Sequence, residues 1–406
     1  VETPSFPGRR LNHPTLLLLF FSVLLFFSRS PVRGAETTLS PVGQKAAFDA
    51  EILHGIHLLY NDRFDEAEQI FLRMVAQSPE EPSGYFYLSM VSWSRLSVGF
   101  WTEDVVEEYR RRIDRTIRVA HDRIGTACAD SYDYFFLGGA LGFKGRFELM
   151  RSRWLASFFL ARDAIDALKT CLRLDPENKD VLLGLGTFDY YTAHLSGVLK
   201  FLTYLLVHKG DKEEGLRKLH TAAREGVYAA TEAKSMLVHI YLFLEKDPWG
   251  ALPVVQELTS KYEDNPRYSY LEGFCFAMMG NETQYRESLL RLRQKGINAP
   301  SIAKARIWAK RALYLQSAYE LLNGRYASAR QKLNVILSRE DPDTDPAMIA
   351  WPLVKIGMSH DLAGEREKAT EYYNRVLDME NGAGAQFLAK KCLDNAPEKQ
   401  DPFIGL

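Results

Sequence analysis

Three stretches far apart in the chain share one spacing: NDRFDEAEQIF (61–71), NGRYASARQKL (323–333) and AGEREKATEYY (363–373). Each has a turn, then a charged residue, then a small alanine (Ala67, Ala329, Ala369) four residues ahead of a large apolar side chain. Twelve residues before the alanine stands Gly55 in the first stretch, Ser317 in the second and Gly357 in the third; twelve residues after Ala67 comes Pro79. A recurring period of this kind constrains the fold more than composition does. Each unit is a supersecondary piece that cannot bury its apolar face alone, so successive units must stack.

The residues give physical reasons for a helix-turn-helix unit. Ile52, Ile56 and Leu59 recur at helical spacing, and Gly55 lets a second helix approach closely. That second helix turns Ala67 and Phe71 to the same side, one turn apart. Pro79 cannot continue a helix and closes the unit. These spacings resemble the tetratricopeptide repeat, from about Phe48 to a last helix at 386–393. The resemblance implies an all-α fold: a right-handed α-solenoid of about eight helical hairpins, two of them with extended insertions. Units then fall at 48–81, from Tyr85 to about 124, at Tyr134 to Pro176, from Leu182, at 232–265, around Gly273, and around Ala329 and Ala369. The last helix covers the apolar end of the stack. The expected organisation is signal peptide 1–35, linker 36–47, solenoid 48–395 and C-terminal tail 396–406.

VLLGLGTFDYYTAHL (181–195) fits this frame. Its Gly184-x-Gly186 lacks the preceding strand, the third glycine and the Lys-Ser/Thr that a phosphate-binding loop needs. Gly186 reads instead as a packing glycine within a helix, equivalent to Gly55 and Gly357.

Two units depart from the plain period. Twelve residues separate Gly55 from Ala67, Gly273 from Tyr285 and Gly357 from Ala369, but 26 separate Gly138 from Ala164, and 29 separate Gly186 from Gly215. The extra residues, about 143–159 and 196–209, are apolar and aromatic. They either pack beside the solenoid or form a docking surface for a partner or a membrane, with Leu199, Phe201, Leu202, Tyr204 and Leu205 as candidates.

The family resemblance implies a groove lined by first helices. Carried over, the groove positions here include Tyr190, Tyr191, Tyr270, Phe274 and Tyr314. These rings suit an extended peptide or a partner helix, or else they fill the core between repeats. The Lys and Asn clamp with which some family members hold a peptide carboxylate has no counterpart. Arg111, Arg115 and Arg118 share one helix face. They form either a solvated stripe or a contact for an anionic surface.

The first residues read as an export signal. Arg9 and Arg10 precede a twelve-residue apolar run, LLLLFFSVLLFF (16–27), followed by small residues ending in Gly34-Ala35. Periplasmic or secreted placement is expected, with an uncleaved inner-membrane anchor as the alternative. Removal of residues 1–35 takes four arginines and one glutamate, moving the formal charge from −1 to −4. That balance gives no basic footprint for nucleic acid. The four cysteines, Cys128, Cys171, Cys275 and Cys392, are widely spaced and form no CxxC pair; buried free thiols are expected.

A search for chemistry finds no HExxH, no G-x-S-x-G and no clustered Cys/His set. His54 and His57 lie three apart without a third ligand nearby, and DPDTDP (341–346) lacks the glycine and the glutamate of a calcium loop. No metal, cofactor or catalytic residue is expected. The expected function is a non-catalytic protein-interaction scaffold of the cell envelope that binds a peptide or partner helix. The alternative is a membrane-docked envelope-assembly component using the apolar insertions, and an enzyme with an unrecognised site comes third.

Overall fold

The computed structural model describes residues 41–97, 102–151, 153–193, 210–339, 346–380, 382–399 and 401–405. The chain divides into two compact units, Val1–Phe48 and Asp49–Leu406. In the first, the described residues 41–48 are helical, so 41–47 are helix where a linker was expected. The signal-like run and the 196–209 insertion lie outside the described residues, as does DPDTD (341–345).

The second unit is built of helices, with no strand among the described residues. In chain order they are α1 (Pro41–Tyr60, of which Asp49 onward belongs here), α2 (Phe64–Gln77), α3 (Pro82–Ser97) and α4 (Glu103–Ile124). Next come α5 (Ser131–Met150), α6 (Trp154–Leu174), α7 (Val181–Ala193) and α8 (Lys212–Glu225). After these stand α9 (Ala230–His239, extended by a π turn Ile240–Leu244), α10 (Pro248–Lys261), α11 (Pro266–Met278) and α12 (Glu282–Ile297). The row ends with α13 (Ile302–Leu322), α14 (Tyr326–Leu337), α15 (Ala347–Leu362), α16 (Arg366–Leu377) and α17 (Ala385–Asp394). A 3-10 turn, Pro402–Gly405, follows. Each helix packs chiefly on its sequence neighbours, so among the described residues the architecture is an α-solenoid of eight helical hairpins, α1–α2 to α15–α16, with α17 on the last.

The small residues do what their spacing predicts. A Cβ at Gly55 would lie 2.3 Å from the Phe71 ring, and one at Gly357 would lie 2.6 Å from the Tyr373 ring. Each glycine thus leaves room for the aromatic side chain four residues beyond the alanine of its own unit, and Ala67, Ala369, Phe71 and Tyr373 are all fully buried. In the fourth hairpin two glycines meet. A Cβ at Gly186 would lie 2.8 Å from the Gly215 carbonyl, and one at Gly215 would lie 2.6 Å from the Tyr190 amide nitrogen. Here the backbones themselves are in contact.

Polar side chains fix the helix starts. At α5 the Asp130 carboxylate accepts from the amides of Tyr132 (2.8 Å) and Asp133 (3.2 Å), while Asp133 accepts from the Asp130 amide at 2.9 Å. This reciprocal cap satisfies donors that a helix start otherwise leaves open. Asp130→Ala is expected to cost about 1 kcal/mol, read as a lower urea midpoint with an unchanged m-value. The buried Asp180 carboxylate reaches further and accepts from the amides of Tyr228 and Ala229, both at 2.9 Å, tying the start of α7 to the start of α9.

One feature breaks the rule that a hairpin touches only its neighbours. The Tyr60 hydroxyl donates to Glu232 at 2.7 Å, the Asn265 side chain donates to the Tyr60 carbonyl at 2.8 Å, and the Tyr228 hydroxyl donates to Asp49 at 2.5 Å. The first hairpin therefore packs on the fifth. Rings fill the space around this closure, with Tyr132 against Tyr228 (5.8 Å), Phe136 against Tyr228 (6.3 Å) and Tyr60 against Tyr262 (5.4 Å).

Candidate peptide-binding face

The five rings expected to line a groove all sit on first helices, α7, α11 and α13, but they do not form one open surface. Tyr190 is fully buried in a cluster with Leu219, Leu237 and Ile240. Its hydroxyl donates to Glu245, which also receives Lys212 at 2.6 Å. Burial, reinforced by that carboxylate, pushes the Tyr190 phenol well above its ordinary range. Tyr191, the next residue, faces outward with 42% of its surface exposed, its ring edge-on to Tyr190 at 5.6 Å. Tyr270, Phe274 and Tyr314 are buried in a different and larger cluster. For four of the five positions the core-filling alternative describes the placement; Tyr191 alone is open.

Tyr270 and Phe274 nonetheless begin a row of stacked rings that reaches beyond the hairpins. Their rings stack at 6.3 Å with 1° between planes, Phe274 stacks on Phe243 at 6.3 Å, and Phe243 stacks on Phe403 at 6.2 Å. Phe403 is not part of the hairpin row. It belongs to the 3-10 turn beyond α17, which lies against α13 and the π turn of α9. The same turn is held through its main chain: Lys355 Nζ donates to the Phe403 carbonyl, and the Tyr270 hydroxyl donates to the Gly405 carbonyl. Lys355, on α15, is 1% exposed, and burial pushes its amine down to about 7. Sequence reasoning missed both Lys355 and the 401–405 segment. The available signal was Phe403-Ile404-Gly405 following the polar NAPEKQD stretch (395–401).

The 143–159 insertion appears as the longer third hairpin, α5 and α6 having 20 and 21 residues. Its inner part packs: Phe143 meets Trp93 at 5.5 Å, and buried Phe147 meets Tyr109 at 5.0 Å. Its tip does not, leaving Leu149, Trp154, Leu155 and Phe159 exposed beside Arg151 and Arg153. The candidates Leu199, Phe201, Leu202, Tyr204 and Leu205 of the second insertion lie outside the described residues. Arg111, Arg115 and Arg118 stand exposed on α4, with the Arg115 guanidinium 5.6 Å from the centre of the Tyr85 ring.

Cys171, Cys275 and Cys392 are buried free thiols, while Cys128 is free and exposed. Burial pushes Cys171 up to about 12 and Cys392 up to about 11, which keeps both protonated and unreactive. His57 lies against the Tyr262 ring at 5.7 Å and within 3.2 Å of the Asn61 amide. Among the described residues no three His, Cys, Asp or Glu side chains are grouped to hold a metal ion.

No family model matches the chain, and no curated protein matches its sequence. Among solved structures it is similar to the crystal structure of the P58(IPK) TPR domain, at 15% identity over 86% of this chain and 90% of that one, with a TM-score of 0.23.

Proposed function

We propose that this chain is a non-catalytic interaction scaffold that takes a short segment of a partner protein on its first-helix face and works outside the cytoplasm. One observation carries the reading. That face, formed by α9, α11, α13 and α15, holds a stretch of chain from outside the hairpin row through stacked rings and bonds to main-chain carbonyls. Binding of this kind draws affinity from aromatic anchors and tolerance from main-chain contacts. The LLLLFFSVLLFF run behind Arg9 and Arg10 supports export.

The check is site-specific photo-crosslinking in cells, with the probe in place of Tyr191 and, separately, in place of Trp154. A discrete protein adduct from position 191 is expected. Silence at both positions would remove the scaffold reading. A second reading has its own observation, the exposed apolar tip of the third hairpin flanked by Arg151 and Arg153, which suits insertion into an anionic membrane surface. No described helix is long and apolar enough to cross a membrane. Under that reading position 154 labels lipid, and Trp154→Ser together with Leu155→Ser abolishes flotation with anionic vesicles.

A further inference from the structure

We infer that the seat on α9, α11, α15 and α17 is a selective peptide site, that residues 401–405 are its resident ligand in cis, and that its ligand in trans is a segment bearing an aromatic-aliphatic-glycine run. This rests on the scaffold reading and adds the chemistry the site selects and the competitor a partner must displace.

Each position of the segment is read separately. Phe403 meets the rings of Phe243 (6.2 Å) and Phe387 (6.1 Å), with the Lys391 ammonium 4.0 Å from its centre, contacts that favour an aromatic residue. Ile404 is buried in the large apolar cluster. Gly405 lies flat on Phe274, and a Cβ there would fall 2.0 Å from the ring, so no side chain fits. Asp401 turns the chain into the seat by accepting from the Phe403 amide at 2.9 Å, and Lys391 holds Asp401 at 3.2 Å. Two carbonyls, those of Phe403 and Gly405, are bonded irrespective of sequence.

Two features distinguish a seated ligand from ordinary core. Between Asp394 and Pro402 the described residues form no helix, so the segment arrives on a short tether rather than as part of a hairpin. The buried Lys355 amine donates to the Phe403 carbonyl, and the Asp401 carboxylate of the same segment acts on it electrostatically. A site built to read a peptide carbonyl uses such a donor. The tether places the segment at an effective concentration on the order of millimolar, so a free peptide must outcompete it.

The test uses the full chain and a fluorescein-labelled KQDPFIG peptide, residues 399–405 of this protein. A Phe403→Ser/Ile404→Ser variant, whose own segment no longer seats, is expected to bind the peptide one to one and at least tenfold more tightly than the wild type. The same peptide carrying Gly405→Ala is expected to lose at least tenfold. Hydrogen exchange on the unmodified chain gives an independent measurement: excess unlabelled peptide should remove protection from the amides of 403–405 while α11 and α15 stay protected. Equal binding by wild type and variant, or no binding by a variant that keeps its helical signal, overturns the proposal. If the variant unfolds, exchange decides: 403–405 that stay protected under saturating peptide are core, and the proposal fails. A chain that fails here yet gives an adduct from position 191 is a scaffold without this site.

Discussion

Gly215→Ala will destabilise the protein by at least about 3 kcal/mol, although it adds a single methyl group in a good helix-forming residue. Inserting a methyl into a filled site costs about 1–3 kcal/mol when side chains can move aside, and more when they cannot. At Gly215 they cannot. The methyl carbon would fall 2.6 Å from the Tyr190 amide nitrogen, 2.8 Å from the Gly186 carbonyl and 2.9 Å from the Tyr190 Cα. All three are backbone atoms of α7, so relief requires separating α7 from α8 and exposing Leu219 and Ala222, both fully buried in the same cluster as Tyr190. Gly142→Ala is the matched control. Gly142 is an exposed interior residue of α5, with nothing within 4 Å of the new methyl. There alanine should stabilise by about 0.5–1 kcal/mol, through helix propensity and loss of unfolded-state freedom. Urea unfolding of the two variants and the wild type reads both effects. A Gly215→Ala variant as stable as the wild type would mean that α7 and α8 do not touch through their backbones.

The contrast between these glycines also explains what was legible in the sequence. A repeat writes one packing rule many times, so Gly55 facing Phe71 and Gly357 facing Tyr373 could be read from spacing alone. The long third hairpin was legible for the same reason, because Gly138 and Ala164 stand too far apart for the period and yet pack together, the glycine's Cβ position lying 3.1 Å from the Ala164 carbonyl. Side-chain direction at the face was not legible. Tyr190 and Tyr191 are successive helical residues, about 100° apart around the axis, so a small rotation of α7 decides which ring enters the core. The closure of the first hairpin on the fifth joins residues 172 and 205 positions apart, Tyr60 with Glu232 and Tyr60 with Asn265. Such contacts arise from the summed rotation of the intervening hairpins, which no local pattern carries. The 401–405 segment has no periodicity at all. Its partners, Phe243, Tyr270, Phe274 and Lys355, come from three separate units, and nothing in their own neighbourhoods sets them apart from core.

Lys355 makes the second large prediction, because burial has lowered its affinity for a proton in the folded state alone. The amine falls from 10.5 to about 7, with burial as the largest cause; the Cys392 thiol and the Asp401 carboxylate, which face it, act in the opposite direction. The unfolded chain therefore holds a proton here that the folded chain lacks at every pH between about 7 and 10.5, and stability rises with pH across that window. Each pH unit is worth up to about 1.4 kcal/mol, so the wild type should gain up to about 2 kcal/mol between pH 7.5 and pH 9. The rise must then reverse. Cys392 is shifted upward from 9.0 to about 11 and Cys171 from 9.0 to about 12, so above pH 9 both unfolded thiols lose a proton that the folded ones keep. Together these outweigh the Lys355 gain, and stability falls. Lys355→Met removes the rising limb and leaves the falling one. At pH 7.5 that variant should be more stable than the wild type by about 1–3 kcal/mol, less the roughly 1 kcal/mol hydrogen bond lost to the Phe403 carbonyl. Urea unfolding of both proteins at pH 7.5, 9 and 10 separates these terms. Parallel pH profiles would show that the amine reaches water, and the buried contact with Phe403 could not then be what holds the 401–405 segment. A rise confined to the wild type would show that the contact is closed, and that alkaline solution tightens the seat any partner peptide must open.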